Sequence, residues 1–149
     1  METDKLTLGE FLIAGISVRT INNGQAGIDI KNLWDRFYKE DIAASVHNKL
    51  SSDVYCVYTD YAGDHNDYYT AMLGYKVSSI AVLPHGIAGC VIPASAYKVY
   101  ESKGDLPHSV LATWKAIWDG GLPRKYAADF DVYTHQSWDN GSVLTYVGV

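Results

Sequence analysis

The sequence of 149 residues is poor in cysteine, and this scarcity limits the redox and metal chemistry that it can support. Cys56 and Cys90 are its two cysteines, and they lie far apart without the Cys/His spacing of a zinc site. Residues 1–10 are polar and lack the basic segment and apolar run of a secretory signal. These features predict a cytoplasmic protein with reduced thiols in its core, although the sequence leaves a disulfide between the two cysteines open.

Positive charge is scarce as well. Lys and Arg number 12 against 17 Asp and Glu, which gives a net charge of −5 at pH 7, and no basic run or basic recognition helix occurs. No apolar stretch approaches the length of a membrane span. We therefore expect neither direct nucleic-acid binding nor a membrane partner.

Phenylalanine is rare, with 3 residues, whereas the chain has 12 Tyr and 4 Trp. Tyr and Trp carry a polar tip on an apolar ring and suit surfaces that are both apolar and hydrogen-bonding, although Tyr is also common in ordinary strands. Hydrophobic residues make up 48% of the chain and charged residues 19%. This composition predicts one globular domain over residues 1–149.

Hydrophobic periodicity predicts a mixed α and β chain. Apolar residues recur at helical spacing over residues 28–39 and 106–119. Patterns typical of strands occupy residues 11–20, 53–60, 68–78, 89–92, 96–101, 129–134 and 142–149. Residues 1–10 are acidic and polar, residues 41–52 are of mixed polarity with no clean period, and Asp139-Asn140-Gly141 is typical of a hairpin turn.

The strand predicted at residues 129–134 is unusual because it contains two acids. Strand geometry places Asp129, Asp131 and Tyr133 on one face. Phe130 and Val132 occupy the other face and are the obvious core residues. One interpretation exposes both acids to solvent, and the pattern alone favours it. The other places Asp131 in an aromatic-lined cavity as the counter-ion of a bound cation.

The two halves of the chain, about residues 8–80 and 88–149, repeat the order strand, helix, strand, strand. Residues 33–37 match residues 113–117 around a shared Trp, and residues 56–59 match residues 131–134. A duplication predicts two halves packed about a pseudo-twofold axis, with both helices on one side of a mostly antiparallel sheet. Cys56 and Asp131 would then occupy equivalent positions on the floor of the groove between the helices.

Motifs in both halves resemble those of a known family. They are Leu33-Trp34-x-x-Phe37, Val57-Tyr58-Thr59-Asp60-Tyr61, Ile92-Pro93-Ala94, Trp114-x-x-Ile117-Trp118 and Asp129-Phe130-Asp131-x-Tyr133. In this order and spacing they resemble the GyrI-like effector-binding domains of AraC-type and MerR-type multidrug regulators. The chain is most similar to the stand-alone, integron-cassette-encoded members, which bind cationic drugs.

The resemblance implies an α+β fold of duplicated strand-helix-strand-strand units about a pseudo-twofold axis, with a mostly antiparallel sheet and two helices flanking a ligand cleft. It also implies a buried acid that meets the cationic part of aromatic drugs. That acid is usually Glu, and the matching position here is Asp131, which is one methylene shorter. The family places a Tyr beside the acid on the last strand, and Tyr146 matches it.

We therefore expect a protein that binds aromatic, lipophilic cations, acting in sensing or sequestration connected with transcription regulation. Asp131 would supply the counter-ion. The rings expected at the ligand are Trp34, Tyr58, Trp114, Trp118 and Tyr146, with Trp34 and Trp118 ranked above Trp114. Core packing is the competing role for each of these rings.

The alternative function is hydrolysis of reactive drug-like compounds in the same cleft, as some relatives of this fold perform. Asp131 would then be the general base and Tyr146 its partner. No nucleophile elbow and no Gly-rich phosphate loop occur. The acidic loop around His65 is expected to be solvated rather than metal-binding, since no second His lies nearby. No cofactor or metal is expected, and a regulatory protein partner stays open.

The charge pattern makes one prediction that does not depend on the fold. Purified protein should show no sequence-specific DNA binding, because it is acidic and lacks a recognition helix. A gel-shift measurement with a pool of random duplexes tests this expectation. A salt-sensitive, sequence-selective shift with the isolated protein would contradict it.

Overall fold

The computed structural model describes residues 2–149, with side chains described from residue 5 onward. The elements in chain order are β1 Glu2–Leu8, β2 Phe11–Ile21, α1 Gln25–Lys39, α2 Ile42–Ser45, β3 Lys49–Thr59, β4 Tyr68–Val77, β5 Ala88–Ile92, β6 Ser95–Ser102, α3 His108–Asp119, β7 Ala128–Tyr133, α4 His135–Asn140 and β8 Val143–Gly148.

The strands form one sheet in the order β1-β6-β8-β7-β3-β4-β2-β5, and all neighbouring pairs are antiparallel. The units β2-α1-β3-β4 and β6-α3-β7-β8 occupy the two halves of this order. Counted outward from the centre, each half presents the second, the third and then the first strand of its unit. The predicted α+β fold of duplicated units is confirmed. At the centre, Cys56 of β3 pairs directly with Asp131 of β7.

Two short connections force the sheet to curl. Gly9-Glu10 joins β1 to β2, and Pro93-Ala94 joins β5 to β6, yet each pair of joined strands lies six positions apart in the sheet. Six strand spacings in a flat sheet are about 29 Å. Two linking residues reach about 11 Å at most. The ends of the sheet therefore approach each other around an inner core that contains Ile13, Val57, Met72, Tyr97 and Phe130.

The other face of the sheet carries the helices and a second core. Leu33 and Phe37 of α1 and Val110, Trp114 and Ile117 of α3 all belong to this one buried cluster, which also contains sheet residues. Both helices therefore lie on one side of the sheet, as predicted. Their apolar residues recur at the spacing that places them on one helix face.

The tight turn predicted at Asp139-Asn140-Gly141 is wrong, although the hairpin that it indicated is confirmed, since β7 and β8 pair antiparallel. The residues between β7 and β8 form the short helix α4, which Thr134 caps by accepting a hydrogen bond from the backbone N–H of Gln136. Gly141 ends this helix at φ 75, in the left-handed region that glycine adopts readily. A helix C-cap and a hairpin turn both favour Asn-Gly, so the dipeptide alone does not separate them.

Two segments without clear periodicity also contain regular structure. Residues 2–8 form β1, which pairs with β6. Within residues 41–52, α2 spans Ile42–Ser45, and β3 begins at Lys49. Tertiary pairing rather than local hydrophobic pattern determines these elements.

The close approach of β2 and β4 predicts a severe effect of a small substitution. Gly15 pairs with Gly74, and a Cβ on Gly15 would lie 1.9 Å from the backbone oxygen of Leu73. We expect Gly15→Ala to lower the free energy of unfolding by roughly 2–3 kcal/mol or more, because backbone must move. Gly9→Ala is the control, since a Cβ there meets nothing within 4 Å. Equal denaturant midpoints for both variants would contradict the close approach of the β2 and β4 backbones at Gly15.

Candidate functional site

A cleft of about 700 Å³ opens between α1 and α3, above the central strands. All four tryptophans of the chain line it. Its lining is rich in aromatic rings and comprises Asn22, Gly24, Ala26, Gly27, Ile30, Lys31, Trp34, Asp35, Tyr38, Tyr58, Tyr61, His65, Tyr69, Leu106, Pro107, Val110, Leu111, Trp114, Trp118, Arg124, Tyr133 and Trp138. Such a lining is suited to a bulky apolar ligand.

One wall of the cleft is built on α1 and α4. Trp34 is half-buried and meets the ring of Tyr133 edge-on at a centroid distance of 4.9 Å. Trp138 of α4 stacks on Tyr133 at 5.6 Å and is 53% exposed. Tyr38, also exposed, stacks with Trp34 at 6.0 Å. These rings form an aromatic rim at the mouth of the cleft.

The opposite wall comes from α3 and the loop after β3. Trp114 is buried, and Trp118, one helical turn later, is half-buried at a centroid distance of 6.4 Å. His65 lies parallel to Trp118 at 5.8 Å and contacts Tyr126 through Nδ1 at 3.3 Å. All three tryptophans expected at the ligand therefore line the cleft.

The floor contains Tyr58, and Asp131 lies beneath it. Tyr58 is packed edge-on against Trp114 at 5.2 Å. Asp131 is 0% exposed and is not among the residues that line the cleft. Its carboxylate accepts hydrogen bonds from the Tyr58 hydroxyl (2.7 Å), the Trp114 indole N–H (3.1 Å) and the Thr145 hydroxyl (2.5 Å). The floor rings thus point their polar groups down at a buried acid.

Burial raises the pKa of Asp131 to about 6, against the opposing effect of its three hydrogen-bond donors. The carboxylate is therefore mostly ionised at neutral pH. The same burial, with the charge of Asp131 added, raises the pKa of Tyr58 well above its ordinary value, so Tyr58 remains a phenol and a donor. Cys56, beside them, is a buried free thiol whose pKa is also raised by burial.

Asp129, the second acid of β7, is also 0% exposed, but it is held differently. It pairs with Arg124 at 2.6 Å and accepts hydrogen bonds from Tyr61 (2.5 Å) and the backbone N–H of Gly148 (2.8 Å). The interpretation that exposes both acids is therefore wrong. Phe130 and Val132 do face a core, but the acidic face of β7 meets the helices, so both faces of this strand are covered.

Tyr146 does not lie beside Asp131, which corrects the expectation from the resemblance. Tyr146 stacks on Phe130 at 4.7 Å and packs against the inner core of the curled sheet. Thr145 is the residue of β8 that pairs with Asp131, and alternation turns its neighbour to the other face. The pair expected for the hydrolase alternative, Asp131 with Tyr146, is therefore not assembled, and Tyr58 is the tyrosine that donates to Asp131.

Arg124, Tyr61 and Trp138 are functional candidates that the sequence pattern did not identify. Arg124 lies in the loop before β7, where no periodicity applies. A buried acid on a strand needs a partner, and this requirement is the signal that could have directed attention to the cations near Asp129. Trp138 lies between the predicted strand at residues 129–134 and the predicted turn at residues 139–141, in a segment too short to show a period.

Within the described part of the chain, the His, Cys, Asp and Glu side chains form no group of three or more suited to a metal ion. None of the described helices is long and apolar enough to cross a membrane. Both cysteines are free thiols.

The fold and the cleft define a small-molecule effector-binding domain. The family model described as "Integron-associated effector binding protein" (Cass2) matches residues 6–149, and the chain belongs to this family. The chain is 32% identical over 126 residues to YobU, a candidate transcriptional regulator of Bacillus subtilis (strain 168), covering 80% of this chain and 79% of that protein. The resemblance found in the sequence is thereby confirmed.

Solved structures share the fold. The integron cassette protein VCH_CASS2, from the mobile metagenome of Vibrio cholerae, has a TM-score of 0.74 at 24% identity, covering 98% of this chain and 94% of that chain. SAV2435, solved bound to tetraphenylphosphonium, has a TM-score of 0.83 at 18% identity, covering 100% and 94%. The C-terminal domain of EcmrR has a TM-score of 0.60 at 15% identity, covering 99% and 97%.

The pKa of Asp131 predicts a pH-dependent contribution to stability. The native carboxyl takes up a proton near pH 6, whereas in the unfolded chain it does so near its ordinary value of 3.8. The native state is therefore favoured as pH falls through 6, and this contribution is lost as pH rises. It amounts to on the order of 3 kcal/mol between the two limits.

The measurement is the free energy of unfolding in denaturant from pH 4.5 to 7.5, for the wild type and for Asp131→Asn. The wild type should gain stability relative to the variant as pH falls. Asp64→Asn, in the exposed loop, is the control for the loss of one acid elsewhere in the chain. Parallel profiles for wild type and Asp131→Asn would show that Asp131 titrates alike in both states.

Proposed function

We propose that the protein binds bulky aromatic, lipophilic cations in this cleft, as a sensor or sequestering protein, and that Asp131 provides the charge selectivity. One observation carries the proposal: a buried carboxylate lies directly beneath an aromatic floor and is held by neutral donors alone, Tyr58, Trp114 and Thr145. Its negative charge is thus not neutralised by a bonded cation of the protein.

The cation would bind against the rings rather than against the carboxylate itself. Asp131 does not line the cleft, so the ligand stacks on Trp and Tyr faces, and each cation–π contact contributes about 0.5–2 kcal/mol. Two unit charges about 7 Å apart attract by on the order of 2 kcal/mol at an effective dielectric constant of about 20. Burial of apolar ligand surface adds roughly 25 cal/mol per Å². Because association itself costs several kcal/mol, we expect micromolar affinity.

The comparisons support a cation as the ligand class. The structure of SAV2435 contains tetraphenylphosphonium, which is a bulky aromatic cation, and its fold spans the whole of this chain. YobU is a candidate transcriptional regulator, in keeping with a sensing role. Effector binding is the family's description, and the aromatic cleft over Asp131 gives it a chemical basis in this chain.

A binding role also fits the state of the acid better than catalysis does. Three donors occupy the carboxylate oxygens of Asp131, and the floor rings separate them from the cleft. A general base needs an oxygen within hydrogen-bond reach of water or substrate. We therefore propose that the protein is not an enzyme, so a bound compound should be recovered chemically unchanged after long incubation.

The charge of Asp131 should determine which of two similar ligands binds. Tetraphenylphosphonium and tetraphenylborate have nearly the same shape and opposite charge. The wild type should bind the cation and not the anion, and Asp131→Asn should weaken cation binding by roughly tenfold or more. Cation affinity of the wild type should also fall as pH drops from 7.5 to 5.5, because Asp131 becomes protonated near pH 6. Tryptophan fluorescence quenching or calorimetry measures each affinity.

Tyr146→Phe is the matched control, since Tyr146 lies on the opposite face of the sheet. This variant should bind the cation as the wild type does, and the affinity of Asp131→Asn should change less with pH than that of the wild type over the same range. If Asp131→Asn binds the cation as tightly as the wild type, Asp131 has no part in charge selectivity.

A further inference from the structure

Arg124 is a buried charged group at the cleft, beside the rings of Trp114 and Tyr61. It lines the cleft, yet its side chain is only 3% exposed. Its Nη2 donates to Asp129 at 2.6 Å and to the hydroxyl of Tyr61 at 3.3 Å. Its Nε and Nη1 are buried and have no hydrogen-bond partner in the described part of the structure. One nitrogen of this guanidinium is therefore paired and the other two are not.

Unpaired N–H groups of a buried guanidinium are costly, and the surroundings of Arg124 compensate only in part. Three rings surround its Cζ, with centroids at 4.3 Å for Tyr126, 5.5 Å for Trp114 and 5.7 Å for Tyr61. Aromatic faces stabilise the positive charge, but they do not replace the in-plane acceptors that a guanidinium fork is built to bind. The free edge is thus suited to a carboxylate or a similar acceptor.

Trp114 lies between Asp131, beneath the floor, and Arg124, at the cleft wall. Its indole N–H donates to Asp131, and its ring faces the guanidinium of Arg124. The negative and the positive group are therefore separated by about one indole ring. A ligand that rests on the floor near Tyr58 and Trp114 therefore lies close to Arg124. A short flexible arm on that ligand would reach the guanidinium.

We propose that the cleft accepts amphoteric ligands, in which an aromatic cation carries a carboxylate on a short arm, and that the free edge of Arg124 binds this carboxylate. This inference rests on the proposed binding of aromatic cations and specifies which of them bind best. Tyr126 lies over the face of the guanidinium and leaves its plane to an acceptor. Because Nε and Nη1 are buried, the surrounding side chains must shift to admit the carboxylate.

The test uses three triphenylphosphonium compounds with the same cationic head. One carries a plain alkyl arm, one an ω-carboxyalkyl arm, and one the methyl ester of that acid, each acid and ester in several arm lengths. For at least one arm length, the wild type should bind the acid about tenfold more tightly than the ester, because a charge-assisted hydrogen bond forms only with the acid. Calorimetry at pH 7.5 measures the ratio.

Arg124→Lys is the diagnostic variant, because Lys keeps a cation for Asp129 and lacks the free guanidinium edge. The ratio of acid to ester affinity should fall to about one in this variant. Lys125→Gln is the control: it removes an exposed positive charge one residue away, and the ratio should persist.

The outcomes separate this inference from the proposed function. If the wild type binds the alkyl and ester compounds but shows no preference for the acid at any arm length, the aromatic faces alone satisfy Arg124 and the inference fails. The same holds if Lys125→Gln abolishes the preference. If none of the three compounds binds, the proposed function itself fails. The wild-type comparison decides the matter even if Arg124→Lys does not fold.

Discussion

The burial of two carboxylates on one central strand is the constraint on which the rest of this site depends. Charge removed from water must be compensated by donors or by an opposite charge. Asp129 forms an ion pair with Arg124, whereas Asp131 accepts hydrogen bonds only from neutral donors of the floor and of β8. The orientations of Tyr58 and Trp114 follow from this requirement, because each must direct its polar tip downward and expose its ring to the cleft.

The duplicated fold provides a nearly symmetric shell, and the charge breaks the symmetry at its centre. Cys56 and Asp131 pair across the junction of the halves, one an uncharged thiol and the other an acid. Symmetry supplies two helices and hence two aromatic walls around one space. In the proposed role, a single charged residue at the junction acts on a ligand that contacts either wall and so distinguishes cationic from neutral molecules of one shape.

Much of this arrangement could be predicted from local patterns. Period-two alternation placed Asp129 and Asp131 on one face, and helical spacing located the tryptophans of α1 and α3. The side of the sheet on which Tyr146 lies could not be obtained from family position alone, since one step along a strand reverses the face. Arg124 and Trp138 lie in irregular or short segments, where tertiary contacts rather than periodicity determine the position of a side chain.

The burial of Asp131 beneath the floor affects how many different ligands the cleft can accept. In the proposed role, a carboxylate exposed in the cleft would favour ligands that place a donor at one fixed point, since hydrogen bonds are directional. A carboxylate beneath the rings instead acts through its field, which varies slowly over the floor. The shorter side chain of aspartate is suited to this position, because it can be saturated by Tyr58, Trp114 and Thr145 without emerging between them. Selection for charge without selection for one geometry is what a binding protein for many aromatic cations requires.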